Sequence, residues 1–276
     1  MIKLVAVDLD GTLLNSQGKI SIKTIETIQL LKKHHVYIVI ASGRTYHEIT
    51  KIIQPLDLFE YDRAYFIAYN GVLTLKVFPF EIIDKKLMDK EDVKKISSLV
   101  LPANLKMHVF CEHFVYISND IKLLLLDNTA YEKTVVKIDM NLYDENEAVY
   151  KVLLYDEEKI LNTFKGTIEN SWYDQYNIFK SSNQLLEFVH LKGSKGDALK
   201  KLLVLLKLDK SETMAFGDEE NDISLLKASG ISVAMGNAKP FVKEIADVIT
   251  LSNDLDGISE IMNQYINQLG DDFNGI

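Results

Sequence analysis

Two carboxylates separated by a single leucine, Asp8 and Asp10, stand in the run Asp8-Leu9-Asp10-Gly11-Thr12, directly after the apolar residues 2–7. A carboxylate is already ionised at neutral pH, so it can attack a phosphate ester without a base to activate it. Charge is the obstacle: at about 4 Å and an effective dielectric of about 20, each pair of like charges repels by about 4 kcal/mol. A divalent cation between the carboxylates and the phosphate removes that barrier. Mg²⁺ suits the task, because it is a hard ion that takes carboxylate, carbonyl, water and phosphate oxygens in octahedral array. With Asp8 as nucleophile, Asp10 can protonate the leaving alcohol and later deprotonate the water that cleaves the aspartyl phosphate. A purely structural use exists, since Asp-Gly after a strand often makes a turn. It leaves two acids repelling each other at a buried sheet edge without compensation.

Three other runs hold groups of complementary chemistry. In Ala41-Ser42-Gly43-Arg44, which again follows an apolar stretch, Ser42 offers a hydroxyl and Gly43 lets the backbone approach an anion. Taken alone it is a common loop sequence. Lys195, in Gly193-Ser194-Lys195-Gly196 at the mouth of a helical segment, could neutralise a phosphate oxygen and hold the nucleophile, although most lysines near helix starts are simply solvated. Gly217-Asp218-Glu219-Glu220-Asn221-Asp222 sets four acids and an amide after an apolar run. The helix dipole accounts for Glu219 and Glu220 at a helix start, but not for a second acidic cluster at a strand end.

The elements that must position these runs alternate. Residues 2–7, 36–40 and 64–68 read as strands, with a helix capped by Ser21 whose Ile22, Ile25, Ile28 and Leu31 share a face, and a second helix after Arg44. Strands separated by helices and apolar on both faces form a parallel sheet, at whose carboxyl edge ligands gather. The pattern returns with helices at 196–206, 222–228 and about 255–268, and strands at 213–216, 231–235 and 248–250. Both stretches are expected to build one α/β, doubly wound, Rossmann-like core from residues 1–84 plus 186–276. Between them, 85–185 changes texture to alternating strands such as KMHVFC and FVYIS with helices between, which reads as an inserted antiparallel α+β unit. Asn70-Gly71 before VLTLKV suggests a hairpin leading toward it.

Composition narrows the partners. In 276 residues, 47% hydrophobic and 26% charged, the net charge is −9, which disfavours nucleic acid and anionic lipid in the absence of a basic patch. The lone Cys111 cannot form an intramolecular disulfide, which fits the cytoplasm. Asp8 and Asp10 interrupt the N-terminal apolar run before it reaches signal-peptide length, and no stretch approaches the roughly 18 apolar residues of a membrane span.

Taken in order, D-L-D-G-T, S-G-R, S-K-G and G-D-E-E-N-D resemble the four motifs of the haloacid dehalogenase superfamily. Tyr69-Asn70-Gly71, Met235-Gly236-Asn237-Ala238 and Ala246-Asp247 before Thr250 add a resemblance to its Cof-type phosphatases. The match covers both ends of the chain; the inserted region matches in length and position but hardly in residues. The resemblance implies a Rossmann-like core carrying a large α/β cap, with Asp8 as nucleophile and metal ligand, and Asp10 as acid and base whose backbone carbonyl also meets the metal. It implies that Ser42 and Lys195 hold the phosphate, that Asp218, Asn221 and Asp222 complete or support the Mg²⁺ site, and that Gly11, Thr12, Gly43, Arg44, Asn70, Gly71 and Asn237 line the phosphate and substrate pocket. Tyr69 departs from the pattern, since many relatives carry an acid there.

Other conspicuous residues have plainer readings. His34 and His35 end a helix, where the dipole favours imidazole. His108, Cys111 and His113 fall on adjacent strands, Cys111 and His113 on one face by alternation, but no second pair at ligand spacing accompanies them, which favours packing. His190 ends a strand re-entering the core, and Trp172, Tyr173, Tyr176 and Phe179 read as cap core. The expected activity is Mg²⁺-dependent hydrolysis of a small phosphorylated metabolite, a sugar phosphate or phosphorylated cofactor, by a monomer or homodimer. Phosphotransfer or mutase chemistry is the rival within the superfamily. A non-catalytic regulatory relative should have lost a carboxylate or the lysine, and none is missing. Dehalogenation fits less well, since that branch lacks the second aspartate.

Overall fold

Leu4–Asp8 is buried at every position, as a strand covered on both faces must be. In the computed structural model, which describes residues 1–118, 134–143 and 145–273, it is the central strand of an eight-stranded sheet. The order runs Val248–Ile249, Ile231–Ala234, Thr213–Gly217, Leu4–Asp8, Tyr37–Ala41, Ala64–Ala68, Leu73–Lys76, Glu81–Lys85. The first six pair in parallel, and Leu73–Lys76 runs antiparallel to Ala64–Ala68. The register sets Leu4 opposite both Tyr37 and Thr213, so the carboxyl ends of these three neighbouring strands lie side by side. This is a doubly wound, Rossmann-like α/β sheet, and it belongs to the first of two compact units, Met1–Asp84 with Ser194–Ile276.

The helix Ile22–Lys33 is capped by Ser21, whose hydroxyl accepts from the Thr24 N–H. Its buried face differs from the apolar periodicity: Thr24, Thr27, Ile28 and Leu31 are inside, while Ile22 is 76% exposed. The two threonines are tolerated there because their hydroxyls meet Ser259 on the C-terminal helix Gly257–Phe273, a buried polar contact that satisfies all three. Asn70-Gly71 lies in the short connection between the antiparallel strands Ala64–Ala68 and Leu73–Lys76, the hairpin expected there, with Tyr69, Asn70 and Gly71 all at positive φ.

The second unit, Lys85–Gly193, has a six-stranded sheet of order Tyr176–Ser182, Leu185–His190, Val149–Tyr155, Lys106–Cys111, Phe114–Ser118, Thr134–Ile138. It is not wholly antiparallel: the last two strands pair in parallel. Leu185–His190 hydrogen-bonds to strands on both sides within this sheet, so the return to the first unit comes at Ser194 and not at 186. One face packs Met107, Val109, Tyr116, Val152, Leu154 and Phe188 against the helices Lys90–Val100 and Glu158–Thr167. Tyr176 joins this core and Trp172 and Tyr173 pack against it. Cys111 is buried beside the Tyr143 hydroxyl, 3.6 Å away, whereas His113 is exposed in the turn that follows; the strand ends at Cys111, so the alternation that would put them on one face does not reach His113. Among the described residues, no helix is long and apolar enough to cross a membrane.

Candidate active site

The Asp8–Thr12 run, Lys195 and the late acidic run converge at the carboxyl edge of the first sheet. Asp8 ends its strand and is 5% exposed; Asp218 follows Thr213–Gly217 and is 8% exposed. Lys195 opens the helix Lys195–Leu206, capped by Ser194, and is wholly buried. Its ammonium donates to Asp8 Oδ1 and to Asp222 Oδ1, each at 2.5 Å. Asp8, Asp218 and Asp222 each bring a carboxylate oxygen within 4.8 Å of the others.

Charge here does not balance: three carboxylates face one ammonium. Burial pushes the Asp8 carboxyl well above its usual range, Asp222 and Asp218 add to this by repulsion, and Lys195 only partly opposes it. Burial, with repulsion from Asp222, also pushes Asp218 up to about 7. Burial by itself would lower Lys195, but the attraction of Asp222 and Asp8 outweighs it and raises the ammonium's pKa. A buried cluster with this excess of negative charge and hard oxygen donors is matched to a divalent cation such as Mg²⁺. Asn221 adds an observation of the same kind. Its Nδ2 donates to Asn70 Oδ1 at 2.8 Å, and its Oδ1 is buried with no hydrogen-bond partner, a donor atom in want of a ligand.

Not every acid has a free oxygen. Asp222 accepts from Lys195 through Oδ1 and from the backbone N–H groups of Asp218 and Glu219 through Oδ2, at 2.9 and 3.1 Å. It shapes the loop that presents Asp218. Thr12 does likewise from the other side, donating from its hydroxyl to Asp218 Oδ1 at 2.8 Å. Gly11, at φ +79°, has room for no side chain: a Cβ there would lie 2.4 Å from Asp218 Oδ2.

The remaining sequence candidates border this cluster in different ways. Ser42 is buried, and its Oγ accepts from the Arg44 N–H at 3.1 Å. The Asn70 N–H donates to the Ser42 carbonyl at 2.9 Å, and a Cβ on Gly43 would meet the Asn70 amide at 2.8 Å, so the two loops are interlocked. Gly71, at φ +101°, approaches so near that a Cβ would sit 2.1 Å from the Ser194 carbonyl, which docks this turn against the start of the Lys195 helix. Asn237 spans two loops, donating to the Gly11 carbonyl at 2.8 Å and accepting from the Asn253 N–H at 3.0 Å. The Asp10 carboxylate stands apart from the buried trio and pairs with Arg44. Glu48, Asn253 and Lys239, whose N–H donates to the Asp218 carbonyl at 3.0 Å, also brace the site and were not singled out from sequence. Of these only Glu48 has a local signal, the Thr45-x-x-Glu48 capping box.

Comparison with known proteins identifies the family. Residues 5–262 match the family model of haloacid dehalogenase-like hydrolases. A Streptococcus pyogenes protein with a provisional phosphatase name is 33% identical over 269 residues, covering 96% of this chain and 98% of its own. A Bacillus subtilis relative, named 5-amino-6-(5-phospho-D-ribitylamino)uracil phosphatase, is 28% identical over 96% of each chain. The crystal structure of a haloacid dehalogenase-like hydrolase from Bacteroides thetaiotaomicron superposes with a TM-score of 0.81 at 27% identity, covering 96% of this chain and all of that one. With a family match across nearly its whole length and the motif residues gathered at one sheet edge, the chain belongs to the haloacid dehalogenase-like hydrolases.

Proposed function

We propose that this enzyme hydrolyses phosphomonoesters of small metabolites through an aspartyl-phosphate intermediate on Asp8, with Mg²⁺ as its cofactor. The observation that supports this best is the buried charge imbalance: Asp8, Asp218 and Asp222 against Lys195 alone. Asp8, Asp218 and the Asn221 carboxamide oxygen are the groups suited to hold the ion, together with the Asp10 carbonyl, while Asp222 supports them. When bound, Mg²⁺ supplies neutralisation of the charge that otherwise keeps a phosphate dianion from a carboxylate.

Asp8 attacks phosphorus through one carboxylate oxygen; the ester oxygen leaves and takes a proton from Asp10. Asp10 then removes a proton from the water that cleaves the aspartyl phosphate, which returns Asp8 and releases inorganic phosphate. Lys195 holds the Asp8 carboxylate and offsets charge on the transferring group, and Ser42 binds a phosphate oxygen through its hydroxyl proton. The relative named 5-amino-6-(5-phospho-D-ribitylamino)uracil phosphatase supports a small phosphorylated metabolite as substrate. None of these groups distinguishes one leaving group from another, so we assign that choice to the inserted unit, Lys85–Gly193. Purified protein should release inorganic phosphate from a panel of phosphorylated metabolites only with Mg²⁺ present, and Asp8→Asn should release none; release by that variant, or in excess chelator, would overturn the mechanism.

A further inference from the structure

Arg44 makes a contact that substrate binding does not explain. Its Nε donates to Asp10 Oδ2 and a terminal nitrogen to Asp10 Oδ1, both at 2.8 Å, a planar two-point fork on one carboxylate. The other terminal nitrogen lies 3.5 Å from Glu48 Oε1. Glu48 is itself fixed by the helix cap: its N–H donates to Thr45 Oγ1 at 3.1 Å, and its Oε2 accepts from the Thr45 N–H at 2.9 Å. The Arg44 backbone is tied down as well, through its N–H to Ser42 Oγ. Asp10, by contrast, has a side chain 53% exposed, so a lone carboxylate there would sample several rotamers.

Resting on the reading of Asp10 as acid and base, we propose that Arg44 is a positioning residue that fixes the rotamer and plane of the Asp10 carboxylate, held to that task by the Thr45–Glu48 cap. An exposed single-point ion pair contributes little, but a bidentate guanidinium imposes geometry as well as attraction. Asp10 must reach first the ester oxygen and then a water, each within hydrogen-bond distance. A misplacement of about 1 Å costs on the order of 10²-fold in rate. Such a role shows in kcat; a phosphate or substrate contact shows in KM.

The test is a double-substitution cycle on p-nitrophenyl phosphate with Mg²⁺, using Arg44→Ala, Arg44→Lys, Asp10→Asn and the Arg44→Ala/Asp10→Asn pair, each checked by circular dichroism. Arg44→Ala should lower kcat by about 10- to 10²-fold and leave KM within about threefold. Arg44→Lys should recover little, because a point charge lacks the fork. The doubly substituted protein should be no slower than Asp10→Asn alone. Multiplying effects in the double variant, or a raised KM with unchanged kcat, would overturn the proposal. Near-normal turnover by Asp10→Asn would instead overturn the acid/base reading beneath it. Glu48→Gln, which can keep the capping box, gives a gentler version should Arg44→Ala not fold. A fall in kcat that vanishes in the Asp10→Asn background supports the tether; an unchanged kcat removes it.

Discussion

Two buried lysines, one in each unit, invite comparison. Lys195 is wholly buried between Asp8 and Asp222 with Asp218 nearby; Lys151, 7% exposed, pairs with Glu187 at 3.3 Å, which also accepts from the Ser181 hydroxyl. Lys151 further lies 5.0 Å from the centre of the Phe110 ring. Burial and ion pairing are common to both. Among the described contacts, the Lys195 ammonium stands beside three carboxylates, whereas Lys151 meets the Glu187 carboxylate and the face of Phe110. A matched pair can complete a sheet face, whereas an excess of buried negative charge costs stability unless something cationic arrives, and is therefore the mark of a site.

The largest effect should come from the unbalanced cluster. Asp8→Asn should lower turnover by at least about 10³-fold, as loss of a covalent nucleophile does, and yet raise the melting temperature in chelator, because it removes one of the repelling charges. A lower melting temperature for this variant would mean that the cluster is not in charge excess, and the comparison would fail. Mg²⁺ should raise the melting temperature of the unsubstituted protein, by about 2.7 kcal/mol of stabilisation at a hundredfold excess over Kd; Ca²⁺ should support little turnover, since its looser coordination misaligns a carboxylate nucleophile. A thermal shift of Asp218→Asn as large as that of the parent would place the ion elsewhere.

The Lys151–Glu187 contact should respond in the opposite sense. Lys151→Met removes the ammonium 3.3 Å from buried Glu187 and should destabilise by about 3–5 kcal/mol in urea unfolding, while Lys151→Met with Glu187→Leu should recover much of the loss. If the single substitution were neutral, the pair would not differ from a surface contact. The smallest effect is a pH dependence at His108, which is 3% exposed on the same strand as Phe110, with both ring nitrogens unpartnered. Burial, aided by Lys151, pulls its imidazole from 6.5 down to about 4. The folded value lies below the unfolded one, so between these pH values only the unfolded chain takes the extra proton. The stability that neutral His108 contributes is complete above about pH 6.5 and is lost as pH falls toward about 4, by about 3 kcal/mol in all. His108→Phe should flatten that limb of a stability–pH curve; an unchanged curve would show that the imidazole is not held neutral.

Much of the first sheet was legible because a buried parallel strand and its following helix leave local signatures: apolar runs, Ser21 as a cap, an Asp-Gly at the strand end. Period alone puts Ile22 on the inner face, because it cannot see that Ser259, more than two hundred residues away, satisfies Thr24 and Thr27 and lets them take that face. The end of the inserted unit at Gly193 is hidden from the sequence for a similar reason. An apolar strand such as Leu185–His190 carries no mark of which sheet it joins, and its partners Tyr176–Ser182 and Val149–Tyr155 decided it. In the site, the residue types of Asp8, Lys195 and Asp218 were visible, while the engagement of both Asp222 oxygens and the interloop bridge of Asn237 were not.

The sequence by itself determined the chemistry available: a carboxylate at a strand end, a second one two residues on, an ammonium at a helix start and a late acidic loop, each fixed by local grammar and by side-chain type. Only the tertiary structure decided how those charges add. Asp8, Lys195 and Asp218 become one electrostatic unit because Leu4–Asp8 and Thr213–Gly217 are neighbours in the sheet and the Lys195 helix opens beside them. Their common burial gives the repulsion its strength, since Coulomb energy grows as distance and dielectric fall, and neither quantity is written in a linear order of residues.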